Sequence, residues 1–295
     1  MNVIIRRSCK LRLTQVANFV KLQTSSNVKR IKNKPTYERT GTNSPKNPSM
    51  KIGTIILCRY NSSRLPGKIL KEIRGTSMLS YLYEKLNKVA THSDELAVAT
   101  SVADSDDIIE TYCKKHHYNC YRGDLNNVAD RFLQAAKAFN YDYVIRINGD
   151  AAFVDIPTYL EMIDICKKGD YDFVSNVKGR TFPFGMSIEI VKTSFYEAIQ
   201  AAIQANPRYR EHVTLYLYEN PVIGKQYHHK NTSCPALQGL DVALDEAADF
   251  ELYQQIFEKL KEDYYHCDLK QFHTIIESIQ NEYQLAGKAW PFTHS

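Results

Sequence analysis

The densest chemistry in the chain lies in one short stretch, Cys58-Arg59-Tyr60-Asn61-Ser62-Ser63-Arg64-Leu65-Pro66-Gly67-Lys68, which packs three cations, two serines and a glycine into eleven residues. Backbone amides and hydroxyls can donate to phosphate oxygens while Arg and Lys neutralise their charge, so this composition suits a triphosphate. It is not a Walker A loop, because G-x-x-x-x-G-K-[ST] is absent. A solvated surface loop satisfies the same composition equally well, so the position of the loop in the fold must decide. Other chemistry-bearing residues are weaker. Glu211-His212 offers acid–base chemistry, although a helical histidine is more often structural. His116-His117 and His228-His229 are adjacent pairs that cannot share a helix face, which argues against zinc. Cys58 sits among cations that could lower a thiol pKa, but no base or second thiol stands at a fixed spacing from it.

The elements that must position these residues alternate from Thr54 onward. Thr54–Leu57 is a short apolar strand that stops at the cationic loop, so the loop falls at a strand's carboxyl end. Ser77–Ala90 carries Met78, Leu79, Leu82, Leu86 and Val89 at helical spacing behind a capping serine. Strand Glu95–Thr100 and helix Asp104–His116 follow, the helix with an acidic first turn that suits its dipole. Strand Tyr118–Tyr121, helix Val128–Phe139 and strand Tyr141–Ile147 come next, the last ending in Asn148-Gly149-Asp150. Helix Pro157–Lys168 opens with proline, strands are expected at Tyr171–Asn176 and Met186–Val191, and helices near Ser194–Gln204 and Tyr209–Tyr218. Leu240–Leu244 reads as strand-like, and helices Ala247–Lys261 and Leu269–Tyr283 close the chain. Alternating βα units predict an α/β fold, a mostly parallel sheet with helices on both faces. Ligands of such sheets sit where strands end and loops begin.

Composition excludes several classes. Of 295 residues, 43% are hydrophobic and 24% charged, ordinary for a globular protein. No run approaches the roughly 18 apolar residues of a membrane-spanning helix. The seven cysteines (9, 58, 113, 120, 166, 234, 267) include no C-x-x-C pair, which fits neither a disulfide framework nor a zinc site and suggests reduced thiols and a cytoplasmic location. The formal charge of +5 hides an asymmetry: residues 1–49 hold 11 of the 38 Lys and Arg and one acidic residue, Glu38, so the remainder is acidic. A nucleic-acid binder would carry its basic excess on the folded part. The 20 tyrosines lack the basic interleaving of a single-strand binder.

The motif R-x-x-S-S-R-L-P-G-K after the first strand resembles the signature of the sugar cytidylyltransferases, which include the CMP-sialate and CMP-KDO synthetases, and most nearly the spore coat polysaccharide biosynthesis protein F branch. The likeness continues in order through Val98-Ala99-Thr100-Ser101, Arg122-Gly123-Asp124, Val128-Ala129-Asp130-Arg131-Phe132, Val144-Ile145-Arg146-Ile147-Asn148-Gly149-Asp150, Tyr171–Val177, Arg210-Glu211-His212-Val213-Thr214, and Leu244-Asp245 with Asp249-Phe250-Glu251. It covers residues 51 to about 260 and implies a Rossmann-like nucleotide-diphospho-sugar transferase fold. The implied reaction joins a nucleoside triphosphate, CTP, to a sugar acid or related acceptor with release of pyrophosphate, in surface polysaccharide or glycan biosynthesis.

The resemblance also implies roles. Arg59 and Lys68 would hold the triphosphate and, with Asp150, form the catalytic set. Cys58, Ser62, Ser63 and Arg64 would line the nucleotide site, Thr100 and Ser101 would lie beside the base, and Arg146 and Asn148 would approach the nucleotide. Asp150 and Asp245 would be ligands of Mg²⁺, which takes one or two carboxylates plus phosphate oxygens; read without the resemblance, Asp150 is a turn-forming residue and Asp245 a helix cap. Glu189, Glu211 and His212 would face the acceptor, and an excursion around 180–235 would add acceptor and homodimer contacts. Departures fall at Asp150-Ala151-Ala152-Phe153, which lacks a proline common after the metal-site aspartate, at Phe184 and Ser187 in place of frequent aspartates, and at Ala247-Ala248 in place of Pro-Glu. Two alternatives therefore stay open: a glycosyltransferase using a preformed nucleotide sugar, and a non-catalytic nucleotide-binding homologue.

Residues 1–49 form a basic extension before a nucleotidyltransferase domain at 50–295. The extension reads as an early-called start ahead of Met50, a transit peptide or a disordered basic tail. The first strand begins after it and it lacks a core-forming face, so its deletion should leave the melting temperature and nucleotide binding unchanged. A loss of more than a few degrees in a thermal melt of residues 50–295 would contradict this.

Overall fold

The computed structural model describes residues 50–90 and 95–292; the expectations for residues 1–49 lie outside the described residues. The first strand, β1 (Ile52–Leu57), is buried from Gly53 to Leu57. A small antiparallel hairpin, β2 (Glu72–Ile73) with β3 (Thr76–Ser77), leads into helix α1 (Met78–Asn87), whose Ser77 hydroxyl accepts from the Ser80 amide at 3.0 Å. Strand β4 (Leu96–Ser101), helix α2 (Asp107–His116), strand β5 (Asn119–Gly123), helix α3 (Val128–Ala138) and strand β6 (Tyr143–Asn148) follow. β5, β4, β1 and β6 run parallel in that order, because each link carries the crossover helix that parallel pairing requires.

The alternation then breaks. Helix α4 (Ile156–Gly169) leads to β7 (Phe173–Ser175), but residues 176–188 hold no helix, so β8 (Glu189–Lys192) returns antiparallel between β6 and β7. A strand the sequence reading missed, β9 (Gln226–His228), pairs parallel with β7 and completes a seven-stranded sheet in the order β5-β4-β1-β6-β8-β7-β9. The two helices expected between β8 and β9 are four short ones: α5 (Thr193–Ala198), α6 (Gln200–Gln204), α7 (Pro207–Glu211) and α8 (Leu215–Glu219). Val213, at φ 31°, cannot continue a right-handed turn and separates the last two.

Helices cover both faces. Ile56 of β1 packs with Leu79 and Leu82 of α1, Ile109 of α2 and Met162 of α4. Its neighbours Ile55 and Leu57 point the other way, to Phe132 and Ala136 of α3, Tyr196 of α5 and Leu217 of α8. A third apolar cluster joins α9 (Ala247–Leu260) and α10 (Leu269–Leu285), through Tyr253, Phe257, Phe272 and Ile276, to Phe153 and Tyr81. Leu240–Leu244 is not a strand of the sheet: Asp241 forms an isolated bridge with Phe184. Its alternating Leu240, Val242 and Leu244 pack into this third cluster, and that packing produced the strand-like period.

The carboxyl ends of β1 and β6 approach closely. The Gly149 amide donates to the Leu57 carbonyl at 2.8 Å, and a Cβ at Gly149 would stand 2.6 Å from that of Cys58. Only glycine allows that approach, and it brings the cationic loop and Asp150 to one edge.

Candidate active site

At that edge lies a cleft of about 360 Å³. Its walls include Cys58, Arg59, Ser62, Ser63, Arg64 and Lys68 from the loop after β1, Arg146, Asn148, Gly149 and Asp150 from the end of β6, Glu211 and His212 from the end of α7, and Asp245 ahead of α9. Val128 and Arg131 of α3, given no role in the sequence reading, also line it.

The loop is built on the Tyr60 carbonyl, which accepts from the amides of Ser62 at 3.0 Å and Gly67 at 2.8 Å. Gly67 sits at φ 70° and turns the chain into a short 3₁₀ segment, Lys68–Leu70, that buries the Lys68 stem. Lys68 Nζ then lies 2.9 Å from Asp150 Oδ2 and 2.8 Å from Asp245 Oδ1. Burial works against the ammonium, but the two carboxylates more than offset it and hold the Lys68 pKa above its ordinary value, so it stays charged at neutral pH. Arg64 Nη2 reaches Asp245 Oδ2 at 2.7 Å, and Arg59 Nη2 reaches Glu211 Oε1 at 3.4 Å.

The carboxylates are positioned from behind. The Tyr253 hydroxyl of α9 lies 2.9 Å from the Asp150 carbonyl and 2.8 Å from that of Val242, tying the turn after β6 to the segment that carries Asp245. Asp249 Oδ2 accepts from the amides of Asp245 at 2.8 Å and Glu246 at 2.7 Å. Glu246, not Asp245, is therefore the helix cap, which leaves the Asp245 side chain for the cleft. Among the described residues no group of three or more His, Cys, Asp or Glu side chains gathers as a metal cage. Two hard carboxylates beside a cationic loop fit a cation that completes its shell with phosphate and water oxygens, as magnesium does.

Three expectations are corrected by burial. Thr100 and Ser101 do not face the cleft: both are fully buried, with the Thr100 hydroxyl donating to Asp106 Oδ2 at 2.9 Å and the Ser101 amide at 3.0 Å. Asp106 Oδ1 in turn accepts from the Tyr60 amide at 2.8 Å, so these residues hold the loop instead of touching a base. Glu189 is sealed at 2% exposure, paired with Arg146 and accepting from the Thr214 hydroxyl at 2.7 Å and the Tyr218 hydroxyl at 2.6 Å. It has no access to an acceptor and instead fixes Arg146, which lines the cleft. Cys58 does line the cleft, but burial pushes its thiol pKa up, so the wall it forms is inert. Asp106 and Arg131 were missed. Each left a signal: two hydroxyls at a strand's end shortly before an aspartate, and a lone cation at helical spacing among Val128, Phe132 and Ala135.

The cytidylyltransferase family profile matches residues 54–289. The chain belongs to the cytidylyltransferase family. It is 28% identical over 214 residues to the spore coat polysaccharide biosynthesis protein of Bacillus subtilis, covering 70% of this chain and 87% of that one. It is 34% identical over 128 residues to a 3-deoxy-manno-octulosonate cytidylyltransferase of Hydrogenovibrio crunogenus, covering 42% of this chain and 50% of that one. A solved cytidylyltransferase from Leptospira borgpetersenii superposes with a TM-score of 0.71 at 28% identity, over 83% of this chain and all of that one. The protein is a nucleotidyltransferase with the Rossmann-like fold of that family.

In this cytidylyltransferase Asp106 links β4 to the loop. Burial alone would raise its pKa, but the hydroxyls of Ser101 and Thr100 and the amides of Tyr60 and Ser101 hold it below the ordinary carboxylate value. A depressed native pKa contributes stability above the unfolded value that is lost as pH falls through the native one. Asp106→Asn should cost about 2–3 kcal/mol at pH 7, roughly 5–10 °C in melting temperature, by weakening these charge-assisted bonds. The gap to wild type should narrow below about pH 4. Melts at pH 7 and pH 3 that differ by the same amount in both proteins would contradict this.

Proposed function

We propose that this cytidylyltransferase uses CTP to transfer a cytidylyl group to a sugar acid, releasing pyrophosphate, in the synthesis of a surface polysaccharide or other glycan. The observation that carries the reading is the meeting of Arg59, Arg64 and Lys68 with Asp150 and Asp245 in one cleft at the carboxyl ends of β1 and β6. Cations for a phosphate chain and carboxylates for its counter-ion stand side by side, which is what displacement at a phosphorus requires. The name of the Hydrogenovibrio relative supports a 3-deoxy sugar acid as the acceptor class, and that of the Bacillus relative supports a polysaccharide pathway.

In the reaction an acceptor hydroxyl oxygen bonds to the α-phosphorus as the bond to the β-phosphate oxygen breaks. Pyrophosphate leaves with the electron pair, and the hydroxyl proton passes to solvent. Arg59, Arg64 and Lys68 bind the phosphate oxygens and stabilise the charge that grows on the departing pyrophosphate. Ser62 and Ser63 supply hydroxyl donors at the same wall. Arg146 is kept in place by Glu189 and, with Asn148, approaches the nucleotide from β6. Glu211, beside Arg59, and His212 line the cleft from the end of α7 and would meet the acceptor. Magnesium, held by Asp150 and Asp245, would neutralise phosphate oxygens and ease departure of the leaving group. No D-x-D triplet follows β6, which disfavours use of a preformed nucleotide sugar.

The test is a pyrophosphate-release screen of each nucleoside triphosphate against sugar acids and sugar phosphates, with magnesium. CTP with a sugar acid should give pyrophosphate and a CMP-linked product in equal amounts. Lys68→Ala should lower kcat/KM by about 10²- to 10³-fold, the loss typical of one preorganised donor. Lys168→Ala, a change at a side chain 80% exposed near the end of α4, should be silent. Equal effects of the two substitutions, or no pyrophosphate with any pair, would sink the proposal.

A further inference from the structure

The cations that line the cleft are not equivalent. Arg59 is paired with Glu211, Arg64 with Asp245, Lys68 with Asp150 and Asp245, and Arg146 with Glu189. Arg131 is the exception: among the described residues no carboxylate pairs with it. It is also the most deeply placed of the loop-side cations, 2% exposed on the buried face of α3, beside Val128 and below the loop. Its one hydrogen bond runs from Nη1 to the Asp124 carbonyl at 2.8 Å, and its buried Nε has no partner. The side chain is held by packing, since a Cβ at Gly123 would lie 2.8 Å from Arg131 Cγ.

A sealed guanidinium without a counter-charge is costly, and proteins retain one only where something offsets the cost. Burial pushes the Arg131 pKa below the ordinary arginine value, and Asp106 and Glu211, acting at a distance and against the repulsion of Arg59, offset only part of that. The charge is left without an ion-pair partner and with its Nε unbonded. The Nη1 bond and the close approach to Gly123 fix the plane of the guanidinium, so it is preorganised at no entropic cost when an anion arrives.

We infer that Arg131 is a phosphate-binding residue of the cleft, kept free of any carboxylate so that it receives the nucleotide's phosphate chain, or the pyrophosphate product, without first breaking an ion pair. The other cations each share their donors with a carboxylate when they bind phosphate; Arg131 does not. Through the Asp124 carbonyl it also couples phosphate binding to the loop after β5. This inference rests on the nucleotidyl-transfer reading.

Titration calorimetry of the full chain with inorganic pyrophosphate, and separately with CTP, tests it on wild type, Arg131→Met and Arg131→Lys, with thermal melts of each protein without ligand. Arg131→Met should weaken pyrophosphate binding at least about tenfold, the worth of one charge-assisted contact. Its ligand-free melting temperature should be no lower than that of wild type, because a buried charge without an ion-pair partner has gone. Arg131→Lys should recover part of the affinity. A purely structural arginine would give the opposite pattern: a lower melting temperature with affinity unchanged in the folded variant, and that result overturns the inference. Should neither variant fold, the Nε–H resonance of Arg131 in ¹⁵N-labelled wild type decides. A saturable shift on adding pyrophosphate supports the inference, and no shift overturns it. A wild-type protein that binds neither pyrophosphate nor CTP overturns the nucleotidyl-transfer reading itself and this inference with it, whereas wild-type binding unaltered in Arg131→Met overturns this inference alone.

Discussion

The arrangement of the cleft depends on the Lys68 ammonium and the two carboxylates it bridges. Left alone, Asp150 and Asp245 would repel each other, and so would Arg59, Arg64 and Lys68. Interleaved, the two sets neutralise each other, and Lys68 holds Asp150 at 2.9 Å and Asp245 at 2.8 Å. That contact joins three parts of the chain far apart in sequence: the loop after β1, the turn after β6 and the segment entering α9. The Tyr253 hydroxyl reinforces it from behind, and the glycine at 149 lets the first two parts approach. On the proposed function, a triphosphate and its counter-ion would let both sets exchange partners at once. The cations would gain phosphate oxygens and the carboxylates a cation, so these five side chains would keep their charges paired throughout.

Much of this was legible in sequence, for physical reasons. The strands β1, β4 and β6 are apolar runs bounded by polar loops, and α1 and α3 carry strong 3.6-residue periods, so the parallel half of the sheet could be read directly. The cationic loop could be placed at a strand's carboxyl end because it follows such a run without a break. What failed was tertiary in origin. The antiparallel return of β8 depends on the missing helix at 176–188, and β9 is three half-buried residues with no period to detect. Leu240–Leu244 alternates because it packs beneath helices, which mimics a strand.

The site divides in the same way. Arg59, Arg64, Lys68, Arg146, Asn148, Asp150, Glu211, His212 and Asp245 do come together in one cleft. Thr100, Ser101 and Glu189 do not reach it, because each spends its polar atoms on a buried partner: the first two on Asp106, the last on Arg146, Thr214 and Tyr218. Sequence shows that a residue can donate or accept but not whether a neighbour has already taken the bond. These buried contacts still serve the site at one remove, Asp106 by anchoring the loop at Tyr60 and Glu189 by fixing Arg146. The departures at Phe184 and Ala247-Ala248 fall outside the ion-pair network, Phe184 against Arg180 and the alanines at the first turn of α9, whose capping box is intact.

The central claim is that the cleft's cations are held in check by its own carboxylates until the nucleotide arrives. Asp245 is a partner of both Arg64 and Lys68, so Asp245→Asn takes a carboxylate from two cations at once and leaves Lys68 with Asp150 alone. The most direct measurement is the affinity of CTP for wild type and Asp245→Asn, by calorimetry in the absence of divalent metal and at low salt. The account predicts tighter metal-free binding by the variant, by about three- to tenfold, a change on the order of 1 kcal/mol for a partly exposed pair. Weaker or unchanged metal-free binding would mean that Asp245 does not restrain the phosphate-binding cations, and would contradict the account.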